Sequence, residues 1–371
     1  MHYYLTEGLE DAVHREFVDN RSFAGAVKSQ TTALSIRTGG QYLVFSPVTE
    51  TQLAKIEELR DTRYKQLRFF YLYQPQTLVV RLMLGPTHQL ASSEFGRMLW
   101  KKTASIGPGL DKDLKDMRST TYKWIPADKE ASTIKAALTS KKGSTFGSKE
   151  ADSAFRPKST RPNKEDWPTL AIEFGVSKKL PRLRVDAKWW LSSSSGKVNI
   201  VLIFSINEEN KTVLIEQWEI CSTENLTTTH SRSKDFIEIP KCRTSFTIAW
   251  ADTSEPSTIT TFDPEQPPAT IANPHEPAAV VAAGTVKCRK PTAAATINPS
   301  QSAAVATINP SDPAAAATLD LSKPIVAEKA ITLNFEKVFD RKPIEGTTER
   351  DIVFTTTDLE KWVHEIWSGE E

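Results

Sequence analysis

The chain has 371 residues, of which 39% are hydrophobic and 25% charged, with a formal net charge of +1. This balance describes an ordinary globular protein of one large or two modest domains, and nine Trp with sixteen Phe provide material for a sizeable core. A charge this close to zero excludes a global pull toward nucleic acid, membranes or acidic partners, so any such binding has to come from a local patch.

Cys221, Cys242 and Cys288 are odd in number and lack CxxC spacing, which argues against a disulfide framework or a zinc site and for a reducing compartment. The N-terminal MHYYLTEGLEDAVHREF carries acids where a signal peptide would carry bases. No apolar stretch approaches the roughly 20 residues needed to span a bilayer. An intracellular protein of cytoplasm or nucleus, with no membrane partner, is the expectation; oligomeric state is left open.

In chain order, residues 4–18 and 50–64 have helical content, with ALSIRTG and QYLVFSP expected to form a hairpin between them. QTLVVRLMLGP predicts a strand over 77–84. A helix over 87–102 follows from the spacing of Leu90, Phe95, Met98 and Leu99. From Lys141 to Lys164 seven Lys or Arg stand against Glu150 and Asp152 alone, either as a solvated loop or as a footprint for phosphates.

GSKEADSAFRP, WPTLAIEFGVS, LPRLRVDAKWWL, KVNIVLIFSI and KTVLIEQWE, between Gly147 and Glu219, follow as strand, strand, helix, strand, strand. Alternation in TLAIEFG puts Leu170, Ile172 and Phe174 on one face and Ala171, Glu173 and Gly175 on the other. A charged residue in so apolar a strand needs a partner. Asp152 on the preceding strand brings a second carboxylate, and two such groups can share one Mg²⁺, which prefers oxygen ligands and lowers the pKa of an attacking water. Alternatively, Asp152 shapes a turn and Glu173 pairs with Arg182 or Arg184.

In the helix, Leu180, Leu183, Ala187, Trp190 and Leu191 form the apolar stripe. Arg182 and Asp186 have the spacing of an i,i+4 ion pair, and Arg184 with Lys188 line the other flank. Trp189 and Trp190 are expected in packing roles ahead of base stacking. KVNIVLIFSI predicts a central strand covered on both faces, and KTVLIEQWE a hairpin partner nearer an edge.

Between Ala251 and Ala330 composition shifts to Ala, Pro, Thr and Ser, and no aromatic residue occurs between Phe262 and Phe335. ATINPS occurs at 295–300 and 306–311, with ATIANP at 269–274. Such a segment cannot offset its ordering entropy, so a disordered low-complexity insertion is expected over 251–329. Order is expected to resume with strands in ITLNFEKVF and RDIVF. The terminal helix DLEKWVHEIW puts Leu359, Trp362, Val363 and Ile366 on one face, and this tail is expected to pack back on the main domain.

The succession of an aspartate, PTLAIE, a helix with LRxDAxWW, VNIVLIFSI and IEQWE resembles an uncharacterised family of fungal proteins. These in turn resemble the restriction-endonuclease-like PD-(D/E)xK superfamily. The resemblance implies an α+β (α/β) fold, a central mixed sheet flanked by helices. Its nuclease-like core would span 77–250, with an N-terminal α/β region at 1–76 and a C-terminal element at 330–371. It further implies Asp152 and Glu173 as metal ligands and nucleic acid as partner. The superfamily's lysine falls at Gly175, so Lys178, Lys179 or Lys188 would have to supply the ammonium that stabilises developing phosphate charge. Arg182 and Arg184 are candidate phosphate contacts, and Glu94 a candidate further carboxylate.

Two functional classes follow: a Mg²⁺-dependent phosphodiester hydrolase acting on nucleic acid, or a degenerate, non-catalytic member binding nucleic acid or protein. The histidines show no HExxH spacing, and GxSxG, GxxxxGK[ST] and GxGxxG are absent. Metalloprotease, hydrolase-elbow, P-loop and Rossmann chemistry therefore have no footing, and no small-molecule cofactor is evident.

Overall fold

The computed structural model describes residues 2–36, 38–83, 85–117, 120–125, 145–176, 180–224, 236–250, 260–261 and 331–368. Among these the fold is mixed α+β, with eight helices and two large mixed sheets where one central sheet was expected.

The first sheet comprises β1 (Val13–Arg15), β2 (Tyr42–Phe45), β3 (Leu67–Leu72), β4 (Thr77–Leu82), β6 (Thr121–Trp124) and β7 (Gly147–Glu150), in the order β1-β2-β4-β3-β7-β6. The second contains β5 (Leu114–Asp116), β8 (Ser153–Pro157), β9 (Leu170–Val176), β10 (Ile200–Asn207), β11 (Thr212–Glu224), β12 (Phe236–Ala249) and β13 (Thr260–Thr261), in the order β13-β12-β11-β10-β9-β8-β5. β9 and β10 are parallel, joined through a helix, α6 (Leu180–Ser193). β8 and β9 are antiparallel, so Asp152, just before β8, comes beside Glu173 in mid-β9.

Strand alternation builds the layers. In the first sheet Leu43, Phe45, Phe69 and Val80 face α2 (Asn20–Ser35) and α3 (Glu50–Arg63), while Tyr42, Val44, Phe70 and Val79 face α6. The second sheet turns Ala171, Val201 and Ile203 to α6. Its other face, with Leu170, Ile172, Phe174 and Phe204, meets α4 (Pro86–Ile106) and the C-terminal α8 (Thr356–Ser368). α6 therefore lies between two sheets. That is why Arg182, Asp186 and Trp189, placed on a margin by periodicity, are all buried.

Several expectations are corrected. A helix over 4–18 gives way to α1 (His2–Thr6), β1 and then α2, which Asp19 and Ser22 cap reciprocally. Gly8, at φ +70°, breaks the earlier helix, and a Cβ there would stand 2.5 Å from the Arg182 backbone nitrogen. ALSIRTG and QYLVFSP form no hairpin, because residues through Ser35 complete α2 and β2 pairs with β1 and β4. The division at 76/77 falls in the turn between β3 and β4, which pair across it.

β11 is flanked by β10 and β12 and so is not an edge strand. GSKEADSAFRP splits into β7 and β8, one in each sheet, and both are buried, so this part of the basic stretch is no solvated loop. ITLNFEKVF divides into β14 (Ile331–Leu333) and α7 (Phe335–Phe339), where Asn334 caps the helix. β14 pairs with β15 (Ile352–Phe354). On α8 Leu359, Trp362, Val363 and Ile366 are buried, and the Trp362 indole donates to the Ala91 carbonyl at 3.0 Å. The expected disorder over 251–329 lies outside the described residues, apart from β13.

Candidate functional site

The second sheet delivers Asp152 and Glu173 into the layer that α6 occupies, and both are buried. The first sheet answers with Arg81 from β4 and Lys149 from β7. A single Arg81 nitrogen, Nη2, donates to Asp152 Oδ1 and, at 3.2 Å, to Glu173 Oε2. Lys149 Nζ stands 3.2 Å from Glu173 Oε1 and 3.1 Å from Asp186 Oδ1. The Trp190 indole donates to Glu173 Oε1 at 2.7 Å, and the Phe174 backbone N–H to Asp152 Oδ2 at 2.7 Å. Among the described residues, four cations (Arg68, Arg81, Lys149, Arg182) stand within 4.0 Å of three carboxylates (Asp152, Glu173, Asp186).

This geometry drives the two acids apart in proton affinity. Burial alone would raise Asp152, but Arg81, then His88 and Arg68, override it and hold the carboxyl well below the usual range. Burial pushes Glu173 up to about 7, with Asp152 and Asp186 reinforcing the shift against Lys149 and Arg81. Burial likewise opposes the charge of Arg81, yet Asp152, Tyr42, Glu173 and Asp186 together raise its pKa well above the ordinary value.

The Mg²⁺ implied by the resemblance does not fit this arrangement. Arg81 stands between the two carboxylates, where a shared cation would have to be. Each carboxylate oxygen has room for about two donors. Glu173 Oε1 already serves Trp190 and Lys149, and Asp152 Oδ2 serves Phe174, with His88 Nε2 at 3.5 Å. Among the described residues no group of three or more His, Cys, Asp or Glu is placed to hold a metal.

The other sequence-predicted residues are scattered. Lys188 Nζ contacts the Tyr3 hydroxyl at 3.2 Å at the surface, on the far flank of α6. Lys178 and Lys179 lie outside the described residues. Arg184 pairs with Glu216 of β11, so it is no partner of Glu173. Arg182 is buried, donates to the Tyr4 carbonyl at 2.7 Å and approaches Asp186 at 3.7 Å, as its i,i+4 spacing predicts, so neither arginine is a free phosphate contact. Glu94 pairs with Arg97 on α4. Trp189 and Trp190 are fully buried, in packing roles.

At Gly175 a Cβ would meet Leu183 Cδ1 at 2.9 Å, because α6 closes on that face of β9. A lysine there has no room, and the ammonium beside Glu173 comes from Lys149 instead. Arg81 and Lys149 escaped sequence reading, although Arg81 in TLVVRL carries the same signal as Glu173, a lone charge in a buried strand.

On the outer side of the cluster lies a cleft of about 840 Å³, walled by Lys65, Arg68, His88, Ser92 and Ser93, with Asp152 at its floor. No protein-family model matches this chain, and no curated protein does either. Among the described residues no helix is long and apolar enough to cross a membrane.

Proposed function

We propose that this chain is a non-catalytic protein of restriction-endonuclease-like ancestry that binds nucleic acid without cleaving it. Support for the ancestry is the juxtaposition of Asp152 and Glu173 on paired antiparallel strands, followed by a helix and a strand parallel to the second. The observation that carries the loss of catalysis is Arg81, whose guanidinium bridges the two acids. A fixed guanidinium balances their charge but lacks the exchangeable waters with which a bound divalent ion supplies an attacking nucleophile. Nucleic acid is favoured over protein because the adjoining cleft presents Lys65, Arg68 and His88 against Asp152, whose charge Arg81 already balances.

One observation speaks for the hydrolase reading. Lys149 supplies beside Glu173 the ammonium that Gly175 cannot. Incubation of the full chain with single- and double-stranded DNA and RNA, in Mg²⁺, Mn²⁺ or EDTA, separates the two. Retention of oligonucleotide in EDTA with no cleavage in either metal is expected. Metal-dependent cleavage that disappears in Asp152→Ala and Glu173→Ala would overturn the non-catalytic reading.

A further inference from the structure

The cleft beside the charge cluster is built around the first turn of α4. That helix runs for 21 residues from Pro86, and no side chain caps it at Gly85. Unclaimed N–H groups and the helix dipole make such an end attractive to anions. By itself that means little, but two side chains converge on the same space. His88 sits in this first turn with its side chain only 9% exposed, and its Nε2 has no hydrogen-bond partner although it faces Asp152 Oδ2 at 3.5 Å. Arg68, from β3, turns its Nη1 to the carbonyls of Lys65 and Leu67, while its buried Nε makes no hydrogen bond and stays 4.0 Å from Asp152.

Charge in the cluster points the same way. Its four cations outnumber its three carboxylates. Arg81, Lys149 and Arg182 approach carboxylates at 3.7 Å or less, leaving Arg68, on the cleft wall, as the surplus cation. Burial pulls the Arg68 guanidinium below its ordinary pKa, with Asp152 only partly opposing, as expected for a cation short of compensation. An acceptor-only anion would satisfy the Arg68 Nε, the protonated His88 ring and the α4 end together.

We infer that this cleft is a phosphate site, with a phosphate ester seated on the first turn of α4 between Arg68 and His88. This rests on the nucleic-acid reading above and names its contact point. The hydroxyls of Ser92 and Ser93, one and two residues beyond the first turn, line the cleft further out and suit a second phosphate along a strand. The ester is taken from a nucleic-acid backbone, and free nucleotide is the competing source of the same chemistry.

Binding of inorganic phosphate, a nucleoside 5′-monophosphate and a short single-stranded DNA to the full chain in EDTA tests this. Arg68→Gln is the direct variant. Ser93→Glu, at an exposed helical position, adds an acid at the cleft mouth and leaves the buried cluster intact. The expected result is oligonucleotide binding far tighter than inorganic phosphate, weakened about tenfold or more by each variant. Lys361→Gln, on the exposed face of α8, is expected to change nothing. Nucleotide and oligonucleotide binding with equal affinity, both lost in the variants, would support the phosphate site and overturn nucleic acid as its source. Oligonucleotide binding that neither variant moves would overturn the site and leave the nucleic-acid reading standing. Failure of all three probes to bind the unmodified chain would overturn both.

Discussion

Arg81 and Asp152, 71 residues apart in the sequence, form a fully buried ion pair that joins the two sheets. A buried pair of this kind returns little net stability, because desolvation offsets most of the attraction, but removing one partner strands the other. Arg81→Met therefore leaves both Asp152 and Glu173 short of a cation and is expected to cost about 3–5 kcal/mol in urea unfolding. Combining it with Asp152→Asn and Glu173→Gln should recover part of that loss, since contacting residues are not additive. Additive costs would mean that the cluster is not one coupled unit.

Glu173 gives the fold a pH signature. It faces Arg81 on β4, Lys149 on β7, Asp152 before β8, and Asp186 with Trp190 on α6. Its carboxyl moves from 4.5 to about 7 on burial, so between these values the folded state holds more protons than the unfolded. Stability from this group is full below about 4.5 and declines as pH rises through about 7. In Glu173→Gln that decline should vanish, so the stability difference between the two proteins changes by about 3 kcal/mol across the window. Parallel pH profiles for the two proteins would contradict the assignment.

Restoring the superfamily lysine should fail. In Gly175→Lys the new Cβ meets Leu183 Cδ1 at 2.9 Å, within a strand closed by α6. Overpacking at such a position typically costs about 1–3 kcal/mol. A lowered thermal midpoint and no gain of metal-dependent cleavage are expected; an active, undamaged Gly175→Lys protein would show that α6 leaves more room than the structure allows.

The C-terminal helix is an integral part of the core. Trp362 packs its ring 5.7 Å from Phe95 and 5.1 Å from Phe204, and donates to the Ala91 carbonyl. Trp362→Ala is expected to destabilise the whole chain by about 3–5 kcal/mol in one cooperative transition. Loss of the α8 signal alone, ahead of the rest, would show that this segment unfolds independently.

Local pattern made much of this legible. The helical spacing of α4, the alternation of β9, the apolar run of β10, the Arg182–Asp186 pairing and the buried face of α8 all follow from periodicities within a few turns of chain. Alternation also established that Glu173 shares a face with Gly175 and needs a partner. The identity of that partner lay out of reach. Arg81 comes from another sheet and Lys149 from a strand whose break before β8 no periodicity marks.

The sequence by itself determined that a carboxylate would be buried in β9, because an apolar strand dictates burial and burial of a charge demands compensation. Only the tertiary structure decided that the compensation is a guanidinium and an ammonium in place of a metal ion. The first sheet, laid across α6, brings Arg81 and Lys149 to the acids, and long-range sheet packing is written in no local repeat.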